Sequence, residues 1–128
     1  MNLKNLTPHP ITIVRRDGTT VTIAPEAIPA RVSEQTTEMP VHAYDVPLLF
    51  TQAVGVIGLP PREPGVVLIV SRMVLDAADR ADLVSPGTLV RDAQGRVTGC
   101  ASLIVSSAFV REVTSNARAA WSSTEGAS

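Results

Sequence analysis

At 128 residues the chain is long enough to bury one real core without disulfides or metals as staples. Its residues are 45% hydrophobic, 18% charged and only 3% aromatic, which excludes a disordered chain and leaves the core to Val, Ile, Leu and Ala, a composition that suits strands. A formal net charge of −1 with no polybasic block excludes the broad positive field that duplex nucleic acid demands.

The first ten residues, MNLKNLTPHP, lack the apolar stretch of a signal peptide, and no apolar run approaches the ~20 residues of a membrane span, so the expected compartment is the cytoplasm. Thr7-Pro-His-Pro reads as a fixed extended lead into the first strand. From Ile11 to Ile23 apolar and polar residues alternate around Asp17-Gly18, a hairpin signature. A two-residue loop would set Ile13 opposite Thr22. A three-residue loop of Arg16, Asp17 and Gly18 sets Ile13 opposite Val21 and Ile11 opposite Ile23, and the apolar match favours it, with Gly18 left-handed.

Pro25 and Pro29 forbid a regular central strand up to Ala30, after which ARVSE is expected as a short edge strand. Thr36 to Pro47 is weakly patterned and predicts a loop with a brief strand around Val41 to Tyr44. Leu48 to Leu59 is apolar, with glycines at 55 and 58, and fits a bent strand or a short helix running into a strand, of which the strand is favoured. LPPREPG then makes a rigid turn into VVLIV, Val66 to Val70, whose lack of polar alternation predicts a central strand buried on both faces.

Ser71 has the chemistry of a helix N-cap, and RMVLDAADRA behind it spaces Arg72/Asp76 and Asp76/Arg80 at i,i+4 with Met73, Ala77 and Ala81 on another face. One helix of about two to three turns is expected there, followed by a loop ending at Pro86-Gly87. LVRDAQGRVTGCASLIV, Leu89 to Val105, supplies a second hairpin. Ala108 to Trp121 fits a further strand and then a helix, or an arm that packs on another subunit, and SSTEGAS reads as a polar tail. The expected organisation is one α+β domain over 1–121, mainly antiparallel sheet with β-hairpins and one short helix, with 106–121 as the arm and 122–128 as a disordered tail.

Several short motifs follow in this order: NLTPH at Asn5–His9, ARV at Ala30–Val32, GLP at Gly58–Pro60, IVS at Ile69–Ser71, RADLVSPG at Arg80–Gly87 and VRDAQGRVTGCASL at Val90–Leu103. On these the chain resembles a small family of phage- and prophage-borne proteins to which no function attaches, over about four fifths of its length. The resemblance implies a non-enzymatic accessory or counter-defence protein working in the host cytoplasm. Some small phage proteins of that kind bind the nucleotide signals of bacterial immunity.

The chemistry-bearing residues are few. Two separated histidines, His9 and His42, and the lone Cys100 offer no metal-ligand spacing, and no cofactor motif is present. Cys100, inside a predicted strand with no partner to lower its pKa, is expected as a small buried hydrophobe. Ten arginines stand against the single Lys4, and guanidinium groups recognise phosphates and carboxylates in bidentate fashion, so local arginine arrangements are the remaining signal.

The second hairpin turns on its register. A four-residue loop, Asp92 to Gly95, sets Arg91 against Arg96, a like-charge pair that calls for a bridging anion; a three-residue loop, Ala93 to Gly95, sets Asp92 against Arg96 as an ordinary ion pair. Ser71 and Arg72 at the helix start, Arg80, and Phe109 as an aromatic that stacks on a base complete the candidate ligand-binding set with Arg91 and Arg96. The leading expectation is a homo-oligomeric, non-enzymatic binder of a small anionic, nucleotide-like ligand such as a cyclic nucleotide or an ADP-ribose derivative, sequestering an immune signal. The rival is a structural or protein-interaction module without a small ligand, and an enzyme, such as a hydrolase of nucleotide signals lacking a recognised motif, comes third. Catalytic residues, metal and cofactor are all expected to be none.

Overall fold

The computed structural model describes residues 2–123, with side chains through Ser115. The described elements are β1 (Asn2–Asn5), β2 (Ile11–Val14), β3 (Thr20–Ile23), β4 (Arg31–Ala43), β5 (Val46–Ile57) and β6 (Val66–Ile69). They continue with α1 (Arg72–Ala77), β7 (Leu83–Pro86), β8 (Leu89–Arg91), β9 (Val97–Cys100), β10 (Leu103–Val105) and α2 (Ser107–Ser123). The fold is α+β, and sheet dominates it.

One four-stranded sheet has the order β1-β6-β7-β10 and holds the core. As its pattern predicts, VVLIV is central: β6 runs parallel to both β1 and β7, and Leu68, Ile69 and Val70 are buried. Parallel neighbours need a crossover, and α1 supplies it. The Ser71 hydroxyl accepts from the Val74 amide at 3.3 Å, capping α1 as expected, but the helix is only six residues long because Ala78 returns to extended backbone. It faces the core with Val74 and Leu75, not with Met73, which is exposed. The core gathers Leu6, Ala30, Leu68, Val70, Val74, Leu75 and Leu83, flanked by Val32, Val56, Leu59 and Ile104. Two strands of this sheet were not expected: β1, which runs into the first residue of NLTPH, and β7, which falls in the stretch expected as loop before Gly87.

The second sheet has the order β3-β2-β9-β8. Its first hairpin has the three-residue loop and the register that the apolar match requires, Ile11↔Ile23 and Ile13↔Val21, with Gly18 at φ +87°. Its second hairpin pairs Leu89↔Cys100 and Val90↔Gly99, then shifts at a bulge to Arg91↔Val97. The 89–105 stretch is therefore not one continuous hairpin. Its second arm breaks at Ala101-Ser102, leaving β9 in this sheet and sending β10 to pair with β7 in the other.

The largest departure from expectation lies between the two sheets. Residues 36–47, expected as mostly loop, belong to a ribbon in which β4, 13 residues, pairs antiparallel with β5, 12 residues. ARVSE is only its first third. The turn is the two-residue Tyr44-Asp45, with both residues at positive φ (51° and 61°), the backbone that matches strand twist in a tight hairpin. Val32 and Val56 root the ribbon in the core, and Gly58 just beyond it approaches so closely that a Cβ would lie 2.7 Å from the Pro29 carbonyl oxygen. From Glu34 outward nearly every ribbon residue is exposed.

The C-terminal segment is helical from Ser107, with no preceding strand after β10, so a second helix joins the one expected. Ser106 caps it: its hydroxyl accepts from the Phe109 amide at 3.2 Å and donates to the Arg80 carbonyl at 2.9 Å. Helix α2 runs through Ser123, into the stretch expected as a tail, whose remaining residues 124–128 lie outside the described residues.

Candidate functional site

The six residues expected to contact an anion fall in separate parts of the fold, and most are engaged locally. In the second hairpin the Asp92 amide donates to the Arg96 carbonyl at 2.9 Å and the Gly95 amide to the Asp92 carbonyl at 2.9 Å, which makes the loop Ala93-Gln94-Gly95. Asp92, not Arg91, faces Arg96, and their side chains pair at 3.3 Å. The Asp92 carboxylate also accepts from the Gln94 and Arg96 amides, so the turn holds itself closed without an external anion. Arg91 is exposed and donates to the Gly95 carbonyl at 2.9 Å.

Arg80 is a structural clamp. Its guanidinium forks onto the buried Asp82 carboxylate at 3.0 and 2.7 Å and donates a third bond to the Pro60 carbonyl at 2.9 Å, tying the α1–β7 connection to the GLP turn. That geometry satisfies a carboxylate with little exposure, and it leaves the guanidinium poorly placed for a ligand. Ser71 is occupied as a cap, and Arg72 pairs with Asp76 at 3.2 Å on the exposed face of α1. Phe109 is half-buried beside Asp82, in a cavity of about 320 Å³ whose rim holds the Arg62–Glu112 pair at 2.7 Å. Glu112 keeps the Arg62 guanidinium raised above its ordinary pKa, by hydrogen bonding first and charge second.

Cys100 is buried, as its strand setting predicts, and burial pushes its thiol above the ordinary value, against which a bond from the Gly87 backbone acts weakly. A thiol held protonated in this way is a poor nucleophile at neutral pH. Among the described residues no three His, Cys, Asp or Glu side chains gather as metal ligands, and no helix is long and apolar enough to cross a membrane.

The feature that reading the sequence missed is the ribbon. Its pairing sorts its side chains by face. Thr37↔Phe50, Gln35↔Gln52 and Ala43↔Val46, together with Leu48, share one face; Glu34↔Ala53, Thr36↔Thr51, Glu38↔Leu49 and His42↔Pro47 share the other. On the second face the Thr36 and Thr51 hydroxyls bond across the strands at 3.0 Å. Large apolar side chains on the ribbon stay in solvent: Phe50 is 53% exposed, Leu49 62%, Val46 52% and Leu48 40%, and Tyr44 at the tip is fully exposed. No local signal marks it, since the two-residue turn Tyr44-Asp45 lacks the Gly or Asn that normally identifies one. Comparison with protein-family models, curated proteins and solved structures finds no match to this chain.

Proposed function

We propose that the chain is a non-enzymatic accessory protein of the phage type its motifs resemble, acting as an interaction module that works through the β4–β5 ribbon. One observation carries this reading: a long two-stranded ribbon rooted in the core exposes Val46, Leu48, Leu49, Phe50 and Val54 to water. Monomeric proteins rarely leave contiguous apolar patches beyond a few hundred Å² uncovered, and an isolated two-stranded hairpin is marginally stable without a further layer. The ribbon is therefore a surface made to be covered by protein. Light scattering over a micromolar concentration series tests the reading. It predicts a particle mass above the 13.5 kDa of one chain, and a monomer at every concentration would overturn it.

A second reading, a small anionic, nucleotide-like ligand sequestered by arginine, is favoured by the cations left over. Arg15, Arg16, Arg31 and Arg91 have no carboxylate within ion-pair distance among the described residues. On this reading cyclic nucleotides or ADP-ribose derivatives raise the melting temperature, by about 2.7 kcal/mol of stabilisation at a hundredfold excess over Kd. The Arg91→Ala chain loses that shift. The absence of any shift in the unaltered protein would remove this reading and leave the first intact.

A further inference from the structure

We propose that the partner covering the ribbon is a second copy of this chain, packed uncharged face to uncharged face about a two-fold axis; the inference rests on the reading of the chain as an interaction module.

Charge separates the two faces. Between Val32 and Ile57 the chain carries Glu34, Glu38 and Asp45 and no Lys or Arg. Glu34 and Glu38 both lie on the face shared with His42 and Leu49, whereas Gln35, Thr37, Ala43, Val46, Leu48, Phe50 and Gln52 on the opposite face are all uncharged. Two ribbons meeting through the acidic face would bring four carboxylates into one drying interface, where desolvation and repulsion both oppose association. Through the uncharged face the carboxylates of both copies stay in water, and Val46, Leu48 and Phe50 of each copy close a two-layer sandwich about 10 Å thick.

The area suits a dimer. With Val46, Leu48 and Phe50 only 40–53% exposed and Ala43 half-buried, the face offers about 500 Å² per copy, or about 1,000 Å² for the pair, the lower bound of a specific interface. A two-fold contact uses the same patch twice, so a face that is apolar from Phe50 to the Ala43↔Val46 pair at the tip, with Gln35, Thr37 and Gln52 toward the root, can pack on its own copy. Lateral pairing is a weaker alternative. Pro40 on β4 and Pro47 on β5 each remove a ladder donor from the distal half of a ribbon edge, which blunts edge-to-edge extension and leaves the face as the open surface.

Sedimentation velocity of the full chain and three variants tests this. The unaltered chain is expected to be a dimer at micromolar concentration. Leu48→Asp and Phe50→Asp should weaken the dimer at least a hundredfold, and Thr51→Asp, on the other face, should leave it within a few fold. A dimer indifferent to both Leu48→Asp and Phe50→Asp, or a particle of three or more copies, overturns the two-fold face while the interaction reading stands. A monomer throughout overturns both. Should the aspartate variants fail to fold, disulfide cross-linking decides: Leu48→Cys, in the middle of the face, should trap a covalent dimer and Leu49→Cys, on the other face, should not, and the opposite pattern overturns the proposal.

Discussion

Asn5 is fully buried, and its side chain makes every hydrogen bond an amide can make. Its Nδ2 donates to the His9 carbonyl at 2.7 Å and to the Ile23 carbonyl at 2.9 Å. Its Oδ1 accepts from the Thr7 amide at 2.9 Å and the Thr7 hydroxyl at 2.6 Å. The knot joins the end of β1 to the lead into β2 and to the end of β3, so NLTPH is a fold determinant. Asn5→Leu removes four hydrogen bonds at once, two of them to the buried Thr7, and about 3–4 kcal/mol of stability should be lost. Asn5→Asp turns the donor amide into an oxygen facing two carbonyl oxygens and should be no milder. Urea unfolding measures both, and a loss below about 1 kcal/mol for either would show that the knot is dispensable. The same logic covers the other motifs on which the resemblance rests. Arg80 and Asp82 of RADL clamp each other and the Pro60 carbonyl of GLP, Ala30 of ARV is core, and Asp92 closes its own turn. Residues that looked like chemistry hold the fold.

At the scale of elements, what was legible followed from local patterning. The first hairpin was readable to its register because only one loop length aligns Ile11 with Ile23 and Ile13 with Val21, and Gly18 supplies the left-handed residue that loop needs. The VVLIV strand and the Ser71 cap were readable for similar reasons: a run with no polar alternation has nowhere to go but the middle of a sheet, and a serine before an i,i+4 ion pair marks a helix start. What escaped depended on tertiary partners. β1 and β7 are four residues each with little periodicity, and they become strands because β6 offers them a parallel edge. The 89–105 stretch divides at Ala101-Ser102 because two sheets compete for it. The register of its loop was undecided between an anion site and an ion pair, since the apolar match and the charge match pointed in opposite directions. A bulge at Val90/Arg91 resolves the conflict, satisfying Asp92–Arg96 while setting Val90 against Gly99. The ribbon escaped because Thr, Gln, Glu and Pro dominate β4, a composition that reads as loop unless its partner strand is known.

At the scale of the whole molecule the chain divides its labour between a body that folds around β6 and α1 and a ribbon that the body carries. Only the root of the ribbon contributes to the core, through Val32 and Val56, and beyond Glu34↔Ala53 every residue but the half-buried Ala43 is exposed. Replacing residues 35–52 with Asn-Gly closes the ladder by a two-residue turn at the Glu34↔Ala53 pair, with both strands still entering the core. The shortened chain is therefore expected to fold with a melting temperature independent of concentration and a monomeric mass. The intact chain behaves differently if copies cover one another's ribbons. Association stabilises only the folded state, so its melting temperature should climb with protein concentration, a trend the shortened chain lacks. Scanning calorimetry of both chains over a hundredfold concentration range separates the cases. A shortened chain that no longer folds would show that the ribbon is part of the body after all. Equal, flat melting temperatures in both would show that the ribbon is not covered by its own kind. A slope confined to the intact chain ties assembly to the 35–52 segment.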